Sequence, residues 1–253
     1  MTDLQALSAV LRSARCVVVL TGAGVSAESG IPTFRDALTG LWENYDVQAL
    51  ATAGTFRRDP ALVWAWYEWR RSKVFRAQPN PGQRSIAALE RLVPEVTLVI
   101  QNVDDLHERA GSASPIHLHG SLNQPRCFAC ARPHVLPPDV PDEPEGGRRL
   151  EPPRCLHCGG RIRPGVVWFG EGLPDAAWKE AKAAVSSCDL MFVVCTSGLV
   201  YPTTGLPKLA AFNGSKIVQI NPRPAELDFA GAKRLVGEAG VIMPTLVAAA
   251  WPS

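Results

Sequence analysis

The stretch that most limits what this chain can become is Cys16-Val17-Val18-Val19-Leu20, followed at once by Thr21-Gly22-Ala23-Gly24-Val25-Ser26-Ala27-Glu28-Ser29-Gly30-Ile31-Pro32-Thr33-Phe34-Arg35. A short β-branched apolar run that stops at glycine reads as a buried parallel strand. Gly22, Gly24 and Ala27 fit the G-x-G-x-x-A spacing, whose small residues allow a tight turn, close approach of backbone to a pyrophosphate, and tight helix packing. A dinucleotide fits such a loop, although glycine turns after strands also occur with no ligand at all. The full fingerprint adds an acidic residue at the end of a second strand about 20 residues on. Glu43 has the distance but not the strand.

Downstream, strands and helices alternate. Leu4, Leu7, Val10 and Leu11 recur at helical spacing ahead of the first strand, and a segment containing Trp42 runs to about Thr55. Pro60 to Ala77 reads as a helix started by a proline and dense in Trp64, Trp66, Tyr67, Trp69 and Phe75; so many aromatics must cover something. Ser85 to Leu92 reads as a helix and Val96 to Ile100 as a strand that feeds Gln101. After an insert, Gly165 to Phe169, Leu190 to Val194 and Lys216 to Ile220 read as strands, with helices at Asp175 to Ser186 and Pro207 to Phe212. This alternation implies an α/β fold, a parallel sheet with helices on both faces. Ligands of such sheets bind beyond the carboxyl ends of the strands. Gly22, Gln101, Thr196-Ser197 and Asn221 each follow a strand, so they should share one crevice.

Between Cys127 and Arg163 the periodicity is lost, and seven prolines fall from Pro133 to Pro153. Such an insert is held by something other than its own core. Cys127-Phe-Ala-Cys130 and Cys155-Leu-His-Cys158, 24 residues apart, have zinc-ribbon spacing, and a four-sulfur shell leaves no open position, so the site should be structural. His157 could compete as a ligand, but Cys158 is better spaced. His119 sits in a Gly-Ser turn after a short Ile116-His117-Leu118 strand; histidine is the side chain that serves as a base near neutrality. His117, two residues earlier, is expected to belong to the core or to a supporting shell. Asp105 is expected to cap the helix that follows it.

The string from Gly22 to Arg35, together with Gln101-Asn102-Val103-Asp104-Asp105-Leu106-His107, Leu118-His119-Gly120-Ser121 and the two Cys-x-x-Cys pairs, resembles the ordered motifs of sirtuins, from about Val17 to about Ala239. The resemblance implies a Rossmann-like NAD-binding domain over residues 1–45, 79–122 and 165–253. It also implies a small module made of a helical acyl-pocket segment, 46–78, and a zinc-ribbon insert, 123–164. It implies NAD and Zn, with His119 as the general base on a ribose hydroxyl after an acyl-lysine oxygen displaces nicotinamide, and Asn102 beside it. Phe34 would cover the reacting carbon and Arg35 would meet the pyrophosphate. Ile31, Val103 and Asp104 would hold the nicotinamide carboxamide, with Gln101 and Asn102 near its ribose; Gly22, Ala23, Gly24 and Ala27 would line the phosphate side. Thr196, Ser197, Asn221 and Ala239 would lie at the adenosine end, where Cys195 replaces the family's glycine. His107 matches a motif histidine and reads as a packing or helix-start residue. Val167-Trp168-Phe169-Gly170-Glu171 matches a segment on which a substrate peptide pairs as an added strand, though a plain strand end would look the same.

Tyr67 and Arg70 stand at i and i+3 on one helix face, where a phenol and a guanidinium can meet one ligand group. In sirtuins a Tyr-x-x-Arg pair in this helix, with a small residue matching Ala51, marks activity on acidic acyl groups. The implied function is NAD-dependent removal of succinyl, malonyl or glutaryl groups, and of acetyl, from lysine. A plain deacetylase, or an ADP-ribosyltransferase or NAD hydrolase, would use the same crevice. Partners are then acyl-lysine segments of other proteins. A net charge of +2 gives no footprint for nucleic acid, and no apolar run of roughly 18 residues is present to span a membrane. The start of the chain does not read as a secretion signal, and four of the seven cysteines are paired as ligands, so a cytoplasmic protein is expected; a monomer is expected as well.

Overall fold

The structure is a computed structural model that describes residues 3–33, 46–137, 143–144, 147–223 and 231–252. Elements are numbered in chain order. Its centre is β1 (Cys16–Thr21), every residue of which is buried. β2 (Glu95–Ile100) and β6 (Leu190–Val194) pair with it in parallel on either side, Val19 facing both Leu98 and Phe192. The sheet continues outward to β3 (Ile116–His117) on one side and to β7 (Lys216–Asn221) and β8 (Lys233–Val236) on the other. The order β3-β2-β1-β6-β7-β8, all parallel, is the doubly wound Rossmann arrangement.

Strand residues alternate between two cores, as period-two geometry demands. Val17 and Val19 face a layer of α1 (Asp3–Ser13), α6 (Pro81–Leu92) and α10 (Ala239–Ala250), through Leu7, Leu11, Ile86, Leu89, Met243 and Leu246. Val18 and Leu20 face α8 (Asp175–Ser187) and α9 (Gly205–Phe212), through Ala181, Val185, Leu206 and Ala210. Chain order leaves β1 for β2 and β3, then crosses back to β6, so the crevice opens at the carboxyl ends of β1, β2 and β6. No helix among the described residues is long and apolar enough to cross a membrane.

A second body packs on that open end. α2 (Ala23–Ala27), α3 (Val47–Leu50), α4 (Ala53–Arg58) and α5 (Pro60–Arg76) lead into it, and α7 (Leu106–Arg109) lies beneath. α5 is buried on nearly all sides, and its aromatics face two ways. Trp66 and Tyr67 join Phe56, Leu106 and Trp168, while Trp64 packs on Cys127, Cys155 and Ile162. The insert itself contains a short antiparallel ribbon, β4 (Arg126–Cys127) against β5 (Ile162–Arg163).

Some expected elements take other forms. Residues 165–169 form no ladder; they are an extended crosspiece with single bridges, Val166 to Gly120 and Phe169 to Thr52. The ladder is absent because each end pairs with a different loop. α6 begins four residues earlier than its apolar period suggests, because Asn80 and Gln83 form a reciprocal capping box ahead of Pro81. α10 and β8 carry no period that marks them in advance.

Candidate functional site

Gly22 donates its N–H to the Val194 carbonyl at 3.0 Å, and Gly24 donates to Cys195 at 3.1 Å. A Cβ on Gly22 would stand 2.7 Å from Thr196 Cα, and one on Gly24 would stand 2.9 Å from the Cys195 oxygen. The close approach these glycines permit is therefore to the chain's own loop after β6. Ala23 is half-buried and Ala27 exposed along α2. Phe34, Arg35 and Glu43 lie outside the described residues.

Beneath this loop three buried side chains form a chain of hydrogen bonds. The Ser26 hydroxyl donates to Asp104 Oδ2 at 2.8 Å, so its oxygen accepts from Asn102 Nδ2 at 2.6 Å. That donor order fixes the amide of Asn102 and leaves its buried Oδ1 with no partner among the described residues. Burial pushes the Asp104 carboxyl up, against hydrogen bonds from Ser26 and from the Leu106 N–H. Asp104, not Asp105, thus supplies the carboxylate that caps α7; Asp105 is turned to Asn123 and Arg109. Ile31 and Val103 line the same wall, Ile31 buried with its N–H on the Ser26 carbonyl.

His119 follows β3, half-buried, beside Gln101. Its Nδ1 lies 2.8 Å from the Gln101 carbonyl, which can only accept, so Nδ1 carries the proton and Nε2 holds the free lone pair. Burial pushes its pKa below the usual histidine value, and the Gln101 hydrogen bond opposes that only partly. Gly120 follows at φ 73°, where a Cβ would meet the Gly165 oxygen at 2.1 Å, so only glycine lets the crosspiece lie this close to His119. The Gln101 side chain ties the loops together, donating to Thr196 Oγ1 at 3.0 Å and accepting from Thr203 at 3.1 Å.

At the far end Asn221 donates to the Thr196 carbonyl at 2.9 Å, and Ser197 accepts from the Leu199 N–H. Cys195, in place of glycine, adopts φ 50°. Ala239 is fully buried at the start of α10, and its N–H donates to Glu28 Oε1 at 2.8 Å. The other histidines stay out of the crevice: His107 is buried against Thr21 Oγ1, and His117 pairs with Glu108 at 2.6 Å.

Cys127, Cys130, Cys155 and Cys158 place their sulfurs within 4.8 Å of one another. The Cys127–Cys158 and Cys130–Cys155 separations are 3.5 and 3.8 Å, close to the edge of about 3.8 Å expected for four Zn–S bonds of about 2.3 Å. N–H groups of Ala129 and Cys130 point at Cys127 Sγ, as they would at a thiolate. The residues fit zinc.

The remaining wall faces the crosspiece. Val167 donates its N–H to the His119 carbonyl at 2.8 Å, and Phe169 donates to the Ala51 carbonyl at 3.0 Å. Phe169 is half exposed, Gly170 exposed at φ 87°. Glu171 is spent on Arg163 and on the Trp168 N–H. Tyr67 is buried and its oxygen accepts from Trp168 Nε1 at 3.0 Å; burial pushes its hydroxyl pKa up. Arg70 is 7 % exposed, with Nη1 donating to the Pro32 carbonyl at 3.4 Å and the guanidinium 5.3 Å from the Trp66 ring. Burial lowers its pKa, while Tyr67 and Asp104 raise it.

This arrangement can be set beside known proteins. A model of the Sir2 family matches residues 22–202. The chain belongs to the Sir2 family. It is 61% identical to the NAD-dependent protein deacylase of Methylococcus capsulatus over 96% of this chain and 95% of that one. It is 56% identical to NAD-dependent protein deacylase 1 of Pseudomonas aeruginosa over 98% and 100%. Its structure is similar to that of a Sir2 homologue in complex with NAD, with a TM-score of 0.86, 43% identity, and 99% and 94% of the two chains covered.

Three residues of this sirtuin carry geometry that its motifs do not announce. Ser26 links Asn102 to Asp104, Glu28 caps α10, and Trp168 donates to Tyr67. Ser26 and Glu28 lie inside the glycine string, so position was a signal, but their partners are 78 and 212 residues away.

Proposed function

We propose that this sirtuin is an NAD-dependent protein lysine deacylase whose pocket takes acidic acyl groups (succinyl, malonyl or glutaryl), with acetyl as a smaller substrate. The observation that carries the reading is the pairing, at the ends of neighbouring strands, of the buried acceptor Asn102 Oδ1, without a partner among the described residues, with His119 Nε2, whose lone pair the Gln101 bond leaves free. Both atoms suit a ribose with hydroxyl donors, so the residues fit NAD. When bound, NAD supplies the ribosyl carbon to which the acyl oxygen attaches as nicotinamide leaves. His119 Nε2 takes the proton from a ribose hydroxyl, and Gln101 holds the ring so that this nitrogen faces the crevice. Asn102 orients the ribose, and Asp104, Ile31 and Val103 receive the carboxamide. Residues 1–45, 79–122 and 165–253 would form the NAD-binding domain, and the acyl-pocket segment 46–78 with the zinc-ribbon insert 123–164 the small module, the substrate peptide pairing on Val167 to Glu171.

On the acyl side, Arg70 brings a buried cation to the wall shared with Asp104, and Tyr67 stands one turn away. The carboxylate of a three- to five-carbon diacid acyl group would accept from both. A plain deacetylase is the second reading, favoured by the bond from Arg70 to Pro32, which turns one guanidinium nitrogen from the pocket. The test is NAD-dependent turnover of one peptide bearing succinyl- or acetyl-lysine, by the parent and by Arg70→Met. Loss of succinyl turnover with retained deacetylation supports an acidic-acyl pocket. Refusal of succinyl by the parent leaves the deacetylase, and NAD cleavage without deacylation would mean a transferase or hydrolase.

A further inference from the structure

Tyr67 lies on the acyl wall with an unusual constraint. Indole Nε1–H can only donate, so the 3.0 Å contact between Trp168 Nε1 and the Tyr67 oxygen assigns the phenol as acceptor there. The hydroxyl then keeps its own proton for another acceptor, and none exists among the described residues. Both side chains are buried, Trp168 at 1% and Tyr67 at 3% exposure, so water does not compete for that geometry.

The indole is itself held from two directions. Its backbone is stretched between His119 and Ala51 by the N–H groups of Val167 and Phe169. Its ring carries the Arg163 guanidinium at 3.5 Å from the ring centroid. Arg163 is in turn clamped by both carboxylate oxygens of Glu171 and by the Val166 carbonyl, while Glu171 also accepts the Trp168 backbone N–H at 3.0 Å. A cation on the π face draws electron density from the indole and makes its N–H a stronger donor.

We infer that Trp168, set by Arg163 and Glu171, is a positioning residue for acidic acyl groups: it occupies a lone pair of Tyr67 and so aims the phenol proton at the acyl carboxylate. Without that bond Tyr67 can accept as readily as donate, and a carboxylate can only accept. A neutral acetyl group, lacking the carboxylate, makes no use of the aimed proton. The inference rests on the acidic-acyl reading above.

The test is Trp168→Phe, which keeps an aromatic ring and deletes the donor, assayed with succinyl- and acetyl-lysine versions of one peptide beside the parent, Tyr67→Phe and Arg70→Met. The expected result is a fall of about tenfold in the succinyl-to-acetyl ratio of kcat/KM, the effect of one directed hydrogen bond, lying in KM rather than kcat. In the Tyr67→Phe background, Trp168→Phe should change that ratio by less than about twofold, because the bond is already gone. Should Trp168→Phe fail to fold, benzothienylalanine placed at position 168 replaces the N–H by sulfur at nearly constant shape and should give the same shift. An unchanged ratio, or effects of the two substitutions that simply add, would reduce Trp168 to a packing residue and overturn the inference. If Arg70→Met abolishes succinyl selectivity while Trp168→Phe preserves it, only this inference fails; if the parent refuses succinyl, the acidic-acyl reading and the inference fail together.

Discussion

His119 combines a free Nε2 with a burial that depresses its pKa, and both properties favour the neutral ring. A base of lowered pKa stays unprotonated further into acid, so the acidic limb of the kcat/KM profile should lie below the ordinary histidine value of about 6.5. A pH-rate series with saturating NAD reads it directly, and a limb at or above that value would mean another group is titrating. His119→Ala should lower deacylation by about 10²–10⁴-fold, the usual contribution of a positioned base. Cys195 poses a different residue-scale problem. It holds φ 50° because its N–H is bound by the Ile220 carbonyl while its own carbonyl receives the Gly24 N–H. A β-branched side chain tolerates this region badly, so Cys195→Val should destabilise the fold by about 1–3 kcal/mol, read from the urea midpoint.

Among elements, α10 is joined to the glycine loop by one carboxylate. Glu28 accepts from the N–H groups of Ala239 and Gly240 at 2.8 and 2.7 Å, satisfying donors that the helix itself cannot. Negative charge at that end also suits the helix dipole. Glu28→Ala should therefore cost about 1–2 kcal/mol in a denaturant titration, although the residue lies in a string that reads as ligand-binding. The zinc ribbon is tied to α5 through Trp64, which packs on Cys127, Cys155 and Ile162. The protein should bind about one zinc per chain, and its removal by a chelator should lower the melting temperature and change the tryptophan near-ultraviolet signal together. Metal loss that left both unmoved would detach the ribbon from the core of α5.

For the whole molecule, two histidines make opposite contributions to stability against pH. Burial pushes His107 down to about 4, with Glu108 opposing. Its unfolded value is about 6.5, so the stability it contributes is complete above that pH and is lost as pH falls toward 4. His117 has the reverse sign: burial opposes its charge, but the hydrogen bond and charge of Glu108 raise its pKa, and its contribution disappears as pH rises through the folded value. The buried group is the larger perturbation, so the fold should weaken from pH 7 to 5. His107→Gln, which can still bond Thr21, should show a smaller loss of melting temperature over that interval than the parent.

Local chemistry by itself determined a good deal here. Unbroken β-branched runs such as Cys16–Leu20 could only be buried strands, and their alternation with helices implied the doubly wound sheet. The spacing of Cys127, Cys130, Cys155 and Cys158 was enough to assemble a four-sulfur site, because each pair needs only its own turn. The strings at Gly22, Gln101 and Leu118 disclosed the family for the same reason: residue type and spacing are readable within a few positions. Pairings across the chain are not. That Gly22 and Gly24 make room for residues 195–196, that Ser26 fixes the amide of Asn102, and that Trp168 donates to Tyr67 follow from the crossover between β1 and β6 and from the packing of α5 on the crosspiece. α10 is not legible locally because an almost wholly apolar helix has no polar face to set its period, nor is β8, because Lys233–Val236 is too short to show one. Such contacts, that of Glu28 with Gly240 among them, join atoms up to 212 residues apart, and only the tertiary fold decides which of many similar donors and acceptors meet.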